Sequence, residues 1–116
     1  MQLKCVIGIV ALAAGCASTV PAEKMEASAA TIRSAEEIGA QKVPQAALHL
    51  QLAKEQSHHA KMIIDQGGDP AQAAALLDRA QADAELARVL AREDSTRMEA
   101  QQAVDRVSTL KQQNNR

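Results

Sequence analysis

The chain contains no phenylalanine, tyrosine or tryptophan, although 47% of its 116 residues are apolar. Alanine is the commonest of those apolar residues. Because an alanine side chain buries little area, such a chain cannot fill the thick core of a globular domain. Alanine is, however, the strongest helix former, and its small side chain lets helices approach closely. The sequence therefore predicts an all-α fold of long, closely packed helices.

Three helices are predicted after residue 21. Helices commonly end at glycine, here at Gly39 and at the pair Gly67-Gly68. Proline suits the first position of a helix, here Pro44 and Pro70, and Asp69 suits the N-cap before Pro70. The predicted helices cover 22–38, 44–66 and 70–113, and a disordered tail is predicted at 114–116. The short turn before Pro70 predicts that the second and third helices run antiparallel.

Apolar residues in the predicted helices recur at alternating steps of three and four. In the first helix they are Ala22, Met25, Ala29 and Ile32, and in the second Val43, Ala46, Leu50, Ala53, Ala60 and Ile64. In the third they are Ala73, Leu77, Ala80, Ala84, Ala87 and Ala91, flanked by Leu76, Leu86 and Leu90. The pattern predicts an antiparallel helical hairpin or three-helix bundle with coiled-coil-like packing.

The predicted third helix is much longer than the second. At 1.5 Å per residue the two would measure about 66 Å and about 35 Å. Its distal part carries an apolar face composed of Met98, Val104, Val107 and Leu110. Unless the first helix shifts to cover this face, we expect it to bind another envelope protein or a second copy of the chain.

The N-terminus has the layout of a secretory signal at 1–15. Lys4 precedes an apolar run of about ten residues, which is too short to span a bilayer. Ala13, Ala14 and Gly15 then lead to Cys16. The alternatives for the cysteines are a Cys5–Cys16 disulfide, a metal ligand, or chance positions in a short buried helix.

The segment before Cys16 resembles a bacterial lipobox, with Ala13 in the place where leucine is usual. The resemblance implies cleavage before Cys16, a diacylglyceryl group on its sulfur and a further acyl chain, such as palmitate, on the new N-terminus. Several acyl chains anchor a protein stably to a membrane. Residues 16–21 would then form a tether. In a Gram-negative bacterium, Ala17 after the cysteine implies the outer membrane, with the protein facing the periplasm.

No set of residues indicates catalysis or a cofactor. Ser57 beside His58 lacks a third orienting group, and Gly67-Gly68 follows a helix without the lysine of a phosphate-binding loop. A formal net charge of −1 provides no basic surface for nucleic acid. We therefore expect a protein that is not an enzyme and has no nucleic-acid partner.

The three histidines, His49, His58 and His59, are the candidate metal ligands. On a helix, His58 and His59 point about 100° apart, and His49 lies about 13 Å from His58 along the axis. This spacing argues against a shared ion, so no metal is expected. A periplasmic metal- or small-ligand-binding lipoprotein nevertheless stands as the alternative function.

Residues 34–91 show a characteristic order of elements. An Ala-Glu-rich helix ends at Gly39, a proline-led helix follows, and a Gly-Asp turn leads into Ala-x-x-Leu-x-x-x-Ala-x-x-Asp-Ala-Glu-Leu-Ala at 73–87. This layout resembles the DUF4398 family of small alanine-rich bacterial lipoproteins. The resemblance implies a helical, lipid-anchored envelope protein of undefined role. We expect a structural or protein-interaction module.

Overall fold

The computed structural model describes residues 22–115, and this part of the chain is all-α. Helix α1 spans Ala22–Glu37, α2 spans Pro44–Asp65 and α3 spans Pro70–Asn114, with a short 3-10 turn at Ala40–Lys42. Asn114, assigned from the sequence to a disordered tail, is the last residue of α3. The predicted signal segment, the tether and Arg116 lie outside the described residues.

Glycines end α1 and α2, as the sequence predicts. Gly39 and Gly67 both adopt positive φ, at 83° and 68°. After α2, the amide of Gly67 donates to the Ile64 carbonyl at 3.0 Å, and that of Gly68 donates to the Ile63 carbonyl at 2.8 Å. This pair of bonds is the Schellman arrangement, which satisfies carbonyls that the helix end leaves free. The chain thereby reverses direction before α3.

Asp69 caps the first turn of α3. Its carboxylate accepts a hydrogen bond from the backbone amide of Ala71 at 2.9 Å, and Pro70 occupies the first helical position. Proline fits there because the amide it lacks would have no partner within the helix. The two caps together keep the connection between α2 and α3 to four residues.

Contacts between side chains establish the directions of the helices. His49 of α2 contacts Asp83 of α3, whereas Ala60, later in α2, packs with Leu77, earlier in α3. Helices α2 and α3 therefore run antiparallel. Lys24 near the start of α1 forms an ion pair with Asp78, and Ala35, later in α1, clusters with Ala87, later in α3, so α1 runs parallel to α3.

The core consists of small residues from all three helices. Every residue of the stripe predicted for α3 is buried: Ala73, Leu77, Ala80, Ala84, Ala87 and Ala91. In α2 the buried residues are Ala46, Leu50, Ala53 and Ala60. Most of these alanines have no exposed surface, so the helix backbones approach each other closely. The predicted third-helix stripe is confirmed.

The buried face of α1 differs from the prediction. Ser28, Ile32 and Ala35 are buried, while Ala22 is exposed. The Ser28 hydroxyl donates to the carbonyl of Met25 at 3.1 Å, which satisfies the polar group within its own helix. A serine bonded in this way is about as small as alanine and can occupy a tight helix contact.

None of the helices in residues 22–115 combines the length and apolarity needed to cross a membrane.

Candidate interaction surface

The three histidines do not converge in the structure. Nδ1 of His49 lies 2.9 Å from Oδ1 of Asp83, and the amide of Gln56 donates to Oδ2 of the same carboxylate at 2.9 Å. This polar contact joins α2 to α3. His58 and His59 are exposed. Within residues 22–115, no group of three His, Cys, Asp or Glu side chains is placed to hold a metal ion.

An open groove of about 410 Å³ lies between α1 and α2. Its lining residues are Met25, Ala29, Ile32, Arg33, Lys54, Ser57, His58 and Lys61. Lys54 forms an ion pair with Glu36, and Lys61 with Asp65 at 2.6 Å. No carboxylate lines the groove to orient His58 beside Ser57, so the lining lacks the third member of a nucleophilic triad.

The distal half of α3 extends beyond the other helices. The start of α2 lies beside α3 near Leu90 and Arg97, where Val43 and Gln45 line a small cleft with them. Every residue from 95 to 115 is exposed. At 1.5 Å per residue, the part of α3 after Ala91 measures about 35 Å. Because α1 packs against the proximal half of α3, it does not shift to cover the distal half.

The predicted distal face needs one correction. Val104, Val107 and Leu110 are 62%, 51% and 63% exposed, and Val104 and Leu110 lie about 60° to either side of Val107 around the helix. Met98 is also exposed, at 57%, but nine residues separate it from Val107. In a continuous α-helix that separation places the two side chains about 180° apart. Met98 therefore lies on the other side of the helix and does not belong to this face.

The apolar face continues toward the start of α3 instead. Leu86 and Val89 are 41% and 56% exposed, and they align with Val107 when α3 is followed in steps of three and four. We call this surface the outer face of α3, composed of Ala82, Leu86, Val89, Ala100, Ala103, Val107 and Leu110, with Glu93 and Thr96 between its two apolar parts. Val104, which belongs to the predicted distal face, lies at the border of the outer face. It lies opposite the buried stripe that contacts α1 and α2.

Sequence analysis missed the proximal part of the outer face. It placed Leu86 among the residues that flank the stripe of the third helix. The spacing from Ala82 to Val89 and from Ala100 to Leu110 was the available signal.

No protein-family model, curated protein or solved structure matches this chain. The resemblance to the DUF4398 family stays a prediction, and function is inferred from the chain's own residues.

The predicted lipidation site, Cys16, lies outside the described residues. Among the residues that the structure describes, the outer face of α3 combines exposed apolar side chains with a regular spacing along one helix. Such a surface is suited to binding another helix.

Proposed function

We propose that this chain is a lipid-anchored, non-enzymatic envelope protein that acts as a structural or protein-interaction module through the outer face of α3. The observation that carries the proposal is the run of apolar side chains, 41–63% exposed, along a helix that extends beyond its partners. Contiguous exposed apolar surface on a protein commonly marks an interaction site. A helix face of this kind binds by packing against another helix or into a groove.

The proposal includes a three-helix bundle with coiled-coil-like packing as the base of the module. Ala46, Ala53 and Ala60 are buried at intervals of seven residues in α2. The buried residues of α3 alternate in steps of three and four. Both spacings are those of a heptad repeat, in which the helices wind around a common seam.

The lipid would hold one end of this bundle at the membrane. Because Lys24 contacts Asp78, the start of α1 lies at the same end of the molecule as the turn between α2 and α3. Cys16 precedes Ala22 by six residues, which span at most about 20 Å when extended. A lipid on Cys16 would therefore keep that end close to the periplasmic surface of the outer membrane.

The variant Cys16→Ser tests the anchor. Serine lacks the thiol that accepts the diacylglyceryl group, so we expect the variant to lose all palmitate label and to remain an uncleaved precursor that is absent from the outer-membrane fraction. The measurement is metabolic labelling with palmitate followed by cell fractionation. Cys5→Ser is the matched control and should keep full labelling. Palmitate on the Cys16→Ser chain would contradict the anchor.

Photo-crosslinking in cells tests the outer face. A photoreactive residue in place of Val104, which borders the outer face and is 62% exposed, should capture a discrete protein adduct. The same residue in place of Leu48, 58% exposed on α2, is the control and should capture none. Equal capture at both positions, or none at either, would contradict an interaction surface on α3.

A further inference from the structure

The outer face of α3 follows a seven-residue repeat with an ordered pattern of charge. In each repeat, one charged residue directly precedes a residue of the outer face, and the sign of its charge alternates along the helix. These charged residues are Glu85, Arg92, Glu99 and Arg106. All four side chains are exposed. Arg92 and Arg106 form no ion pair within residues 22–115, so their charges are available to a partner.

We propose that the outer face of α3 binds the same face of a second copy of this chain in antiparallel orientation, in the register that places Leu86 opposite Ala103. This inference rests on the proposed function, in that it names the partner of the proposed interaction surface. It is carried by the charges, by the sizes of the opposed side chains and by the position of the other helices.

The charges disfavour a parallel pair. Each seven-residue repeat has two core residues. In a parallel coiled coil, the residue directly before the first of them lies beside the partner residue whose number is five higher. Arg92 would then meet Arg97, and Arg106 would meet Lys111. Glu85 and Glu99 would meet Leu90 and Val104, which offer no opposite charge. A parallel pair therefore has repulsive contacts and no attractive contact at these positions.

The same charges favour an antiparallel pair. In that orientation the flanking residues meet each other across the interface, so Glu85 lies opposite Arg106 of the second copy. Arg92 likewise lies opposite Glu99 of the second copy. By symmetry each contact occurs twice, and all of them join opposite charges. Opposite charges at these positions determine the choice of partner and orientation in coiled coils.

Alternation of charge also selects the register. Sliding one helix by seven residues in one direction places Glu85 opposite Glu99 and Arg92 opposite Arg92 of the second copy. Sliding it in the other direction places Arg92 opposite Arg106. Like charges held in contact are destabilising, so both neighbouring registers are disfavoured.

The side chains opposed in this register are complementary in size. Leu86 meets Ala103, Val89 meets Ala100, and Val107 meets Ala82 of the second copy. A large residue thus faces a small one in each of these layers, as tight packing requires, and Leu110 packs beside the aliphatic part of Arg79 of the second copy. Two adjacent central layers, related by symmetry, each join Glu93 of one copy to Thr96 of the other, and Glu93 already pairs with Arg97 of its own helix at 2.7 Å. A polar layer of this kind specifies register at some cost in stability.

The other helices leave room for the second copy. Helices α1 and α2 contact the buried stripe, on the side of α3 opposite the outer face, and the start of α2 reaches the border of that face only at Glu93. The overlap from Ala75 to Asn114 would extend for about 60 Å. The distal half of each α3 would then cover the proximal outer face of the other copy, so both exposed apolar regions become buried together. The two lipid-bearing ends lie at opposite ends of this pair, so the pair would lie along the membrane surface.

Cysteine pairs test the orientation. Two versions of the full chain, Val89→Cys and Ala100→Cys, carry different tags and are expressed in the same cells, which are then oxidised. The antiparallel register brings residues 89 and 100 of different copies into one layer, so a mixed disulfide dimer should form in at least tenfold excess over the unsubstituted chain. Neither variant expressed alone should exceed that baseline, because its two cysteines would lie about 16 Å apart along the axis.

A parallel pair predicts the opposite result, since each variant alone would crosslink to itself. That outcome, or the absence of any mixed dimer, would overturn the proposal. If no mixed dimer forms while the photoreactive residue at position 104 captures a different protein, the proposed function stands and the second copy is wrong as its partner. Palmitate labelling reports on the anchor independently of either result.

Charge reversal provides a second test that does not depend on cysteine reactivity alone. Arg92→Glu with Arg106→Glu in both copies makes every flanking contact repulsive and should reduce the 89–100 crosslink at least tenfold. Glu85→Arg with Glu99→Arg in both copies should do the same. Combining one chain of each kind restores opposite charges at every contact and should restore the crosslink. Equal crosslinking in all three combinations would overturn the proposal.

Discussion

Replacing Leu77 with aspartate is expected to lower the free energy of unfolding by about 4 kcal/mol or more, which would leave the helical domain largely unfolded at room temperature. Within residues 22–115, Leu77 is the largest side chain that is fully buried, and it packs with Ala60 and Ala73 near the turn between α2 and α3. Removing such a leucine typically costs about 2–5 kcal/mol, and an unpaired carboxylate in the same place adds a desolvation cost. Small domains have little more stability than that to lose.

The measurement is thermal and urea unfolding followed by circular dichroism. Leu48→Asp is the matched control, because Leu48 is 58% exposed on α2 and its replacement leaves no buried charge. The control should change the free energy of unfolding by less than about 1 kcal/mol. Equal melting temperatures for Leu77→Asp and the unsubstituted chain would show that the buried stripe of α3 has been misassigned.

Periodicity made the core of α3 predictable from sequence. Six apolar residues at steps of three and four define one side of a helix whatever its neighbours are, and the structure buries all six. The all-α fold was predictable for the same reason. Ser28 was not, because a buried serine depends on a hydrogen bond within α1 that its residue type does not reveal.

The outer face was harder to predict because spacing alone does not fix which side of a helix faces inward. Leu86 is close enough in sequence to the buried stripe to be assigned to it. Only the positions of α1 and α2 around α3 show that Leu86 is exposed at 41% and aligned with Val107. Met98 was assigned to the distal face for the reverse reason, since nearness in sequence was taken for a shared side of the helix.

The link between α2 and α3 through Asp83 shows a different limit. His49 and Asp83 are 34 residues apart, and sequence analysis considered His49 only as a candidate metal ligand. The antiparallel register brings the two side chains to 2.9 Å, with Gln56 bonded to the other carboxylate oxygen. Such a contact depends on the register between the two helices. The heptad pattern does not determine this register, because sliding one helix by seven residues gives the same pattern.

Replacing Ala84 with leucine is expected to destabilise the domain by about 3 kcal/mol, although leucine is the more apolar residue. Ala84 has no exposed surface and belongs to one buried cluster with Ala35 of α1 and Ala53 of α2. Where all three helices meet at alanines, the distance between their backbones is set by methyl groups. A leucine at this position requires the helices to separate, which removes neighbouring contacts along the seam.

Urea unfolding of Ala84→Leu and Ala30→Leu would measure this effect. Ala30 is exposed on α1, so leucine there adds no volume to the core and should change the free energy of unfolding by about 0.5 kcal/mol or less. If Ala84→Leu were instead the more stable chain, the added apolar area would outweigh the crowding, and the helices could not be held at alanine contact. A loss confined to Ala84→Leu would show that this aromatic-free chain is stabilised by close helix approach, which makes residue size at the seam more important than hydrophobicity.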